Sequence, residues 1–107
     1  MTTVKRYHKL VRDRIPDIIE SSGNICVTEI LSDDDYLHMV GIKLDEELAE
    51  YHKDQTVEEL ADLIEVIYAA AQARGYSTSQ LDEIRAEKAA SRGRFDNKIL
   101  LKEVIEP

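Results

Sequence analysis

The chain has 107 residues, of which 22 are acidic and 14 basic, and its formal net charge is −8. A hydrophobic content of 43% excludes a disordered chain, and the length accommodates a single domain, residues 1–107. The acidic balance disfavours nonspecific binding to a nucleic-acid backbone. The longest apolar run, residues 66–71, is far too short for a membrane span. Since the first residues lack an apolar signal core, we expect a cytoplasmic protein.

A short helix is predicted over residues 16–22. Pro16 suits its first turn, because the missing N–H needs no partner there. Gly23 suits a left-handed helix exit. Ile15 precedes a proline and is therefore expected to be extended.

An extended segment follows the first helix. Residues 25–31 are rich in β-branched side chains and predict a short strand, with the apolar tail 99–105 as its pairing partner. Cys26 is the single cysteine, so it cannot form an internal disulfide, and we expect it to be a small buried apolar residue.

A long helix is predicted over residues 33–53. Ser32 followed by Asp35 resembles a capping box, and acids in the first turn favour a helix N-terminus. Its apolar residues recur at three- and four-residue steps, as expected for one buried face. They are Leu37, Val40, Leu44, Leu48 and Tyr51.

The next helix begins after Thr56, which forms a capping box with Glu59, and should end before Gly75. Residues 57–71 are apolar on almost every side, which is typical of a helix that is central in its domain or shared with a partner chain. In so short a chain we favour a subunit interface, and hence a homodimer or larger homo-oligomer.

A last helix is predicted over residues 78–92, capped by Ser77 with Gln80 and stopped by Gly93. The expected fold class is therefore mainly α. The architecture is an antiparallel helical bundle with one small β pair, completed by dimerisation.

Five acidic residues depart from the pattern of solvated helix faces. Glu47 lies on the apolar stripe of the long helix, and Glu50 follows one turn later. Glu59, Asp62 and Glu65 form the polar stripe of the next helix. A short link makes the two helices antiparallel neighbours, so their acidic turns should meet near the link.

Such a cluster needs a counterion. Two carboxylates about 5 Å apart, at an effective dielectric constant near 20, repel by roughly 3 kcal/mol, whereas a domain is stable by only about 5–15 kcal/mol. A divalent cation removes the repulsion, and an all-oxygen ligand set favours Mg²⁺ or Mn²⁺ over zinc. A lone Glu-Glu-x-x-Glu string is more often a solvated helix face, but the second acidic pair on the following helix reverses that preference.

Four basic residues suggest what the metal would bind. Lys9 and Arg12 stand just before Pro16, and Lys88 and Arg92 share one face of the last helix. Ordinary surface bases near a helix C-terminus are the simpler interpretation, which is weakest for Arg12 and Lys88. Bases beside a metal-loaded carboxylate cluster fit a polyphosphate ligand.

Three motifs together resemble a known family. They are the acidic motif of residues 43–50 followed by Glu59-x-x-Asp62, the segment YHKLVRDRIP of residues 7–16, and the pattern K-x-x-x-R-G-x-F of residues 88–95. Their order and combination resemble the all-α nucleoside-triphosphate pyrophosphohydrolases, the MazG-like and phosphoribosyl-ATP pyrophosphohydrolase-like superfamily, and in particular its small "KLVRDKIP" branch. Arg14 stands where that branch often has Lys.

The resemblance implies Mg²⁺-dependent cleavage of a nucleoside triphosphate between the α and β phosphates, as in house-cleaning enzymes. Carried over residue by residue, it implies a role for Glu46 in supporting the site or positioning water. Helical spacing makes Glu65 a further ligand or a base. The implied metal ligands are Glu47, Glu50, Glu59 and Asp62. The bases expected to hold the phosphates are Lys9, Arg12, Lys88 and Arg92. A stacking partner for the nucleotide base is sought among Tyr7, Tyr36, Tyr51 and Phe95, of which Tyr51 better suits core packing.

Two alternatives remain open at this point. The first is phosphoribosyl-ATP hydrolysis in histidine biosynthesis, which uses the same chemistry. The second is a noncatalytic helical dimer, whose acids would serve solubility or partner binding.

Overall fold

Four α-helices form the regular structure of residues 2–107, the part of the chain that the computed structural model describes. They are α1 (Ile15–Ser21), α2 (Asp33–Asp54), α3 (Val57–Ala73) and α4 (Thr78–Arg92). The prediction of a mainly α fold is confirmed, and each helix lies within one residue of its predicted position. None of these helices has the length and apolar character needed to cross a membrane.

Three helices begin at the predicted hydroxyl caps. Ser77 and Gln80 form a complete capping box: the Gln80 amide donates to the Ser77 hydroxyl at 3.1 Å, and the Ser77 amide donates to the Gln80 side chain at 2.8 Å. The other two caps are Ser32, which accepts from the Asp35 amide at 3.2 Å, and Thr56, which accepts from the Glu59 amide at 3.4 Å. Because each cap satisfies a free amide of the first turn, the helix starts are determined locally.

The expectation of an extended Ile15 is wrong. Its amide donates to the carbonyl of Arg12 at 3.0 Å, and Arg14 has φ −90° and ψ −6°, close to helical values. The turn of residues 12–15 thus already has helical backbone geometry. This hydrogen-bonded turn outweighs the preference of a residue before proline for an extended conformation. Gly23 has φ 93° and provides the predicted left-handed exit.

The predicted β pair is also wrong, because no residue between 2 and 107 lies in a strand. The segments 25–31 and 99–105 do not pair with each other, and the side chain of Val27 is 99% exposed. A strand needs a hydrogen-bonded neighbour, and two isolated strands are marginal even when a tight turn joins them. Cys26 is half-buried rather than buried, and its Sγ lies 3.8 Å from the carbonyl oxygen of Pro16.

The helices α2 and α3 pack along each other as a hairpin. The link consists of Gln55, which takes a left-handed conformation at φ 54°, and Thr56, which caps α3. Val40 on the predicted apolar stripe of α2 is 1% exposed and is the one fully buried hydrophobic residue among those described. No residue of α3 is fully buried, although this helix also packs against α4.

The single chain is elongated. Its radius of gyration is 19.0 Å, whereas a compact domain of this length has about 13 Å. Its accessible surface is 10,075 Å², against about 6,100 Å² for a compact monomer of the same mass. Much apolar surface therefore stays in contact with solvent in one copy of the chain.

Candidate functional site: a carboxylate cluster between α2 and α3

The helical hairpin brings together carboxylates from both of its helices. Glu47 on α2 and Glu59 and Asp62 on α3 each offer an oxygen within 4.8 Å of the others. All three side chains are half-buried. Glu59 and Asp62 share a face because they are three residues apart on a helix, and the two-residue link brings that face to α2.

A second trio overlaps the first. Glu50, Asp54 and Glu59 also place three carboxylate oxygens within 4.8 Å of one another, and Glu59 belongs to both trios. All four ligands expected from the sequence therefore lie in one continuous cluster. Asp54 was not predicted, although it lies one helical turn after Glu50 and directly before the link, a position that could have revealed it.

Desolvation and neighbouring like charges raise the pKa of the Glu59 carboxyl. Desolvation is the first cause that raises the pKa of its carboxyl above the ordinary value of 4.5, followed by the negative charges of Asp54, Asp62 and Glu50. A hydrogen bond with the Asp54 carboxyl raises this pKa further. The direction is the one expected where burial and neighbouring carboxylates both disfavour the charged form.

The donor set of both trios consists of carboxylate oxygens alone. Hard divalent cations such as Mg²⁺, Mn²⁺ and Ca²⁺ prefer oxygen, whereas zinc favours histidine and cysteine. These trios contain neither histidine nor cysteine, so their chemistry fits a hard dication.

Lys43 forms ion pairs with two carboxylates of α2, of which Glu47 belongs to the cluster. Its Nζ lies 3.2 Å from an oxygen of Glu46 and 3.4 Å from an oxygen of Glu47. Glu46 also accepts a contact from Lys9 at 3.5 Å. Glu46, expected to support the site or position water, thus lies beside the cluster within an ion-pair network and belongs to neither trio.

A base from the N-terminal part of the chain reaches the cluster directly. The Arg12 guanidinium Nη2 lies 2.6 Å from Oδ1 of Asp62, although the two residues are 50 positions apart in sequence. Lys9 and Arg12, two of the four predicted phosphate-binding bases, therefore lie beside the carboxylates.

The other predicted bases lie elsewhere. Lys88 and Arg92 are exposed on α4 and line a cavity of about 460 Å³, whose wall includes the exposed ring of Phe95. Within residues 2–107, neither base makes an ion pair with the cluster. Glu65 is exposed on α3 and lies outside both trios.

The candidate stacking residues fall into two groups. Tyr36 and Tyr51 are half-buried on α2, which agrees with the packing role expected for Tyr51. The Tyr7 ring is exposed and lies 5.6 Å from Nζ of Lys9, beside the ion-pair network. Phe95 lies with the bases of α4.

Comparison with known proteins finds a relative that matches part of the chain. Over 48 residues the chain is 50% identical to an uncharacterized protein of Mycolicibacterium smegmatis. This match covers 45% of the chain and 49% of the relative, so it spans about half the length of that protein. No family model matches the chain. No solved structure matches it either.

Proposed function

We propose that this chain is a Mg²⁺-dependent nucleotide pyrophosphohydrolase that cleaves the α–β phosphoanhydride of a nucleoside triphosphate, releasing a monophosphate and pyrophosphate. One observation carries the proposal. The four acids of the family-like motif, contributed by two helices, converge in a single half-buried cluster whose oxygens suit a hard dication. The motif resemblance supports the choice of reaction, and the convergence of the four acids supports a metal site between α2 and α3.

The proposed roles follow from position. Glu47, Glu50, Glu59 and Asp62 would hold Mg²⁺, and Mn²⁺ would serve in its place. When bound, the metal would supply a water of lowered pKa and neutralise phosphate oxygens. Both candidate proton acceptors lie outside the trios, and we assign the role to Glu46, because Glu46 and Glu47 both contact Lys43, whereas Glu65 is exposed on α3.

Binding of the outer phosphates is assigned to basic residues. Lys9 and Arg12 lie at the edge of the cluster, within reach of a ligand that extends beyond the metal. We assign Lys88 and Arg92 to the phosphates through a second copy of the chain, since no ion pair among residues 2–107 of one copy joins these bases to the carboxylates. We place the reaction in the cytoplasm, which contains both nucleotides and Mg²⁺.

The architecture we propose is an antiparallel helical bundle completed by dimerisation or higher assembly. The surface of one chain exceeds that of a compact monomer by about 4,000 Å², which is more than the roughly 1,000–2,500 Å² that each chain buries in a homodimer interface. A stripe of partly exposed hydrophobic residues on α3 is the surface that we assign to this interface. It consists of Leu60, Ile64, Ile67 and Tyr68, each between 38% and 46% exposed.

One observation favours a noncatalytic dimer as the second candidate. Lys43 and Arg12 already neutralise Glu47 and Asp62, so the fold tolerates these acids without a metal. Under that alternative, Mg²⁺ would not raise the melting temperature of the protein. Under our proposal it would, because a ligand that binds only the native state stabilises it.

The deciding experiment is a screen for pyrophosphate release. Standard and noncanonical nucleoside triphosphates and phosphoribosyl-ATP are incubated with the protein in Mg²⁺ or in EDTA. We expect Mg²⁺-dependent release from at least one triphosphate. Release from phosphoribosyl-ATP alone would replace the house-cleaning role with the histidine-biosynthesis role, and no release from any substrate would contradict the proposal.

A further inference from the structure

An irregular N-terminal arm, residues 2–14, reaches the carboxylates from outside the helical hairpin. Every residue of the arm except Leu10 is exposed. Its ion pairs with the helices are Lys9 with Glu46 on α2 and Arg12 with Asp62 on α3. Two ion pairs therefore connect the arm to the hairpin.

The two ion pairs differ in what they engage. Asp62 belongs to the trio formed with Glu47 and Glu59, whereas Glu46 belongs to neither trio. Arg12 thus holds a carboxylate that a cation at this trio would also use. A dication there would meet the positive guanidinium at short range, and the two charges would compete for the same acid.

We propose that Arg12 is an exchange residue: it neutralises Asp62 in the free chain and transfers to a phosphate oxygen when a metal and a polyphosphate bind. The inference rests on the proposed function, because it assigns Mg²⁺ and a phosphorylated ligand to the cluster.

Exposure and chemistry both suit Arg12 to this exchange. Its side chain is 58% exposed and that of Asp62 is 43% exposed, so neither is locked in place by packing. An ion pair this exposed is weak and exchanges partners readily. A guanidinium also binds phosphate through two parallel N–H groups, which a single carboxylate contact does not fully use.

The exchange predicts opposite effects of one substitution. In Arg12→Gln, Mg²⁺ no longer competes with the guanidinium, and we expect its dissociation constant to fall about two- to fivefold. Pyrophosphate loses a charged partner, and we expect its dissociation constant in saturating Mg²⁺ to rise about tenfold. Both constants are measured by titration calorimetry on the full chain at physiological ionic strength, with circular dichroism as the check of folding.

Arg14→Gln is the matched control. It removes the same charge two residues away, and Arg14 makes no ion pair in the part of the chain that the structure describes. We expect both dissociation constants to stay within twofold of those of the wild type.

The possible results separate the exchange from the proposed function. Suppose that the wild type binds Mg²⁺. If Arg12→Gln then has the same two dissociation constants as the wild type, or binds both Mg²⁺ and pyrophosphate more weakly, the exchange alone is overturned and Arg12 is a structural anchor. If neither protein bound Mg²⁺ or pyrophosphate, the proposed function would fail and the exchange with it.

Discussion

At the scale of single residues, Glu59 concentrates the electrostatic cost of the site. It belongs to both carboxylate trios, and the pKa of its carboxyl is raised by desolvation and by three neighbouring acids. A raised pKa means that ionising this carboxyl is less favourable in the native state than in the unfolded state. Its ionisation therefore opposes folding unless a cation is bound.

The first prediction concerns the pH dependence of stability in Glu59→Gln. A carboxyl whose native pKa is raised lets the native state bind more protons than the unfolded state, so this stabilisation is complete below pH 4.5 and is lost as pH rises through the raised pKa. In EDTA we expect Glu59→Gln to be more stable than the wild type at pH 7 and equally stable near pH 4, as measured by urea unfolding.

Glu58→Gln is the control, because Glu58 adjoins Glu59 in sequence but belongs to neither trio. It should leave the difference between pH 4 and pH 7 unchanged. Saturating Mg²⁺ should reverse the order at pH 7, since only the wild type keeps all four of the proposed ligands. A Glu59→Gln protein that is less stable than the wild type in EDTA at pH 7 would argue against the repulsion.

The second prediction concerns catalysis. Glu47→Gln and Asp62→Asn each remove a negative charge from the cluster without a large change in volume, and we expect pyrophosphate release to fall at least about 100-fold. Circular dichroism should show an intact fold. Asp45→Asn on the exposed side of α2 is the control, and its activity should match the wild type. Activity within a few-fold of the wild type in both cluster variants would remove these acids from the mechanism.

The sequence predicts those parts of the site whose positions depend on residues close together in the chain. Glu47, Glu50, Glu59 and Asp62 could be placed together because helical spacing and a short link determine their positions. The contact between Arg12 and Asp62 joins residues 50 positions apart, and no local pattern specifies such a pair. Lys88 and Arg92 were expected at the cluster on chemical grounds, but periodicity does not reveal where α4 lies relative to α2.

At the scale of elements, the same distinction separates helices from strands. Capping and periodicity are local signals, and α2, α3 and α4 follow them closely. Pairing of residues 25–31 with 99–105 required a partner more than 60 positions away in sequence, and β-propensity alone does not supply one. The apolar side chains of these two segments would be buried if the segments contacted a second chain.

The third prediction tests the start of α3. Thr56 accepts a hydrogen bond from the Glu59 amide and ends the link that brings Glu59 to α2. Thr56→Ala should lower the free energy of unfolding by about 1 kcal/mol and should weaken stabilisation by Mg²⁺, because the first turn of α3 carries Glu59, one of the proposed ligands. Thr56→Ser keeps the hydroxyl and should restore both. Equal loss in the two variants would show that the methyl group, not the cap, matters.

At the scale of the whole molecule, the central feature is unburied apolar surface. One fully buried hydrophobic residue among those described is a small core for a chain of this length, and the radius of gyration exceeds the compact value by several ångströms. The α3 stripe lies on a different side of the helix from Glu59 and Asp62, which face α2. A second copy could therefore cover the stripe without obstructing the carboxylates.

The last prediction compares two isoleucines of equal exposure. Ile64 in the α3 stripe is 46% exposed, and Ile42 on α2 is 45% exposed. A lysine at position 64 would place a charge inside the proposed interface, which is costly when unpaired, whereas one at position 42 would enter solvent. Light scattering should show the wild type and Ile42→Lys at twice the 12.2 kDa chain mass or more, and Ile64→Lys near the mass of a single chain. A monomeric wild type would refute the assembly, and dissociation by Ile42→Lys alone would move the interface from α3 to α2.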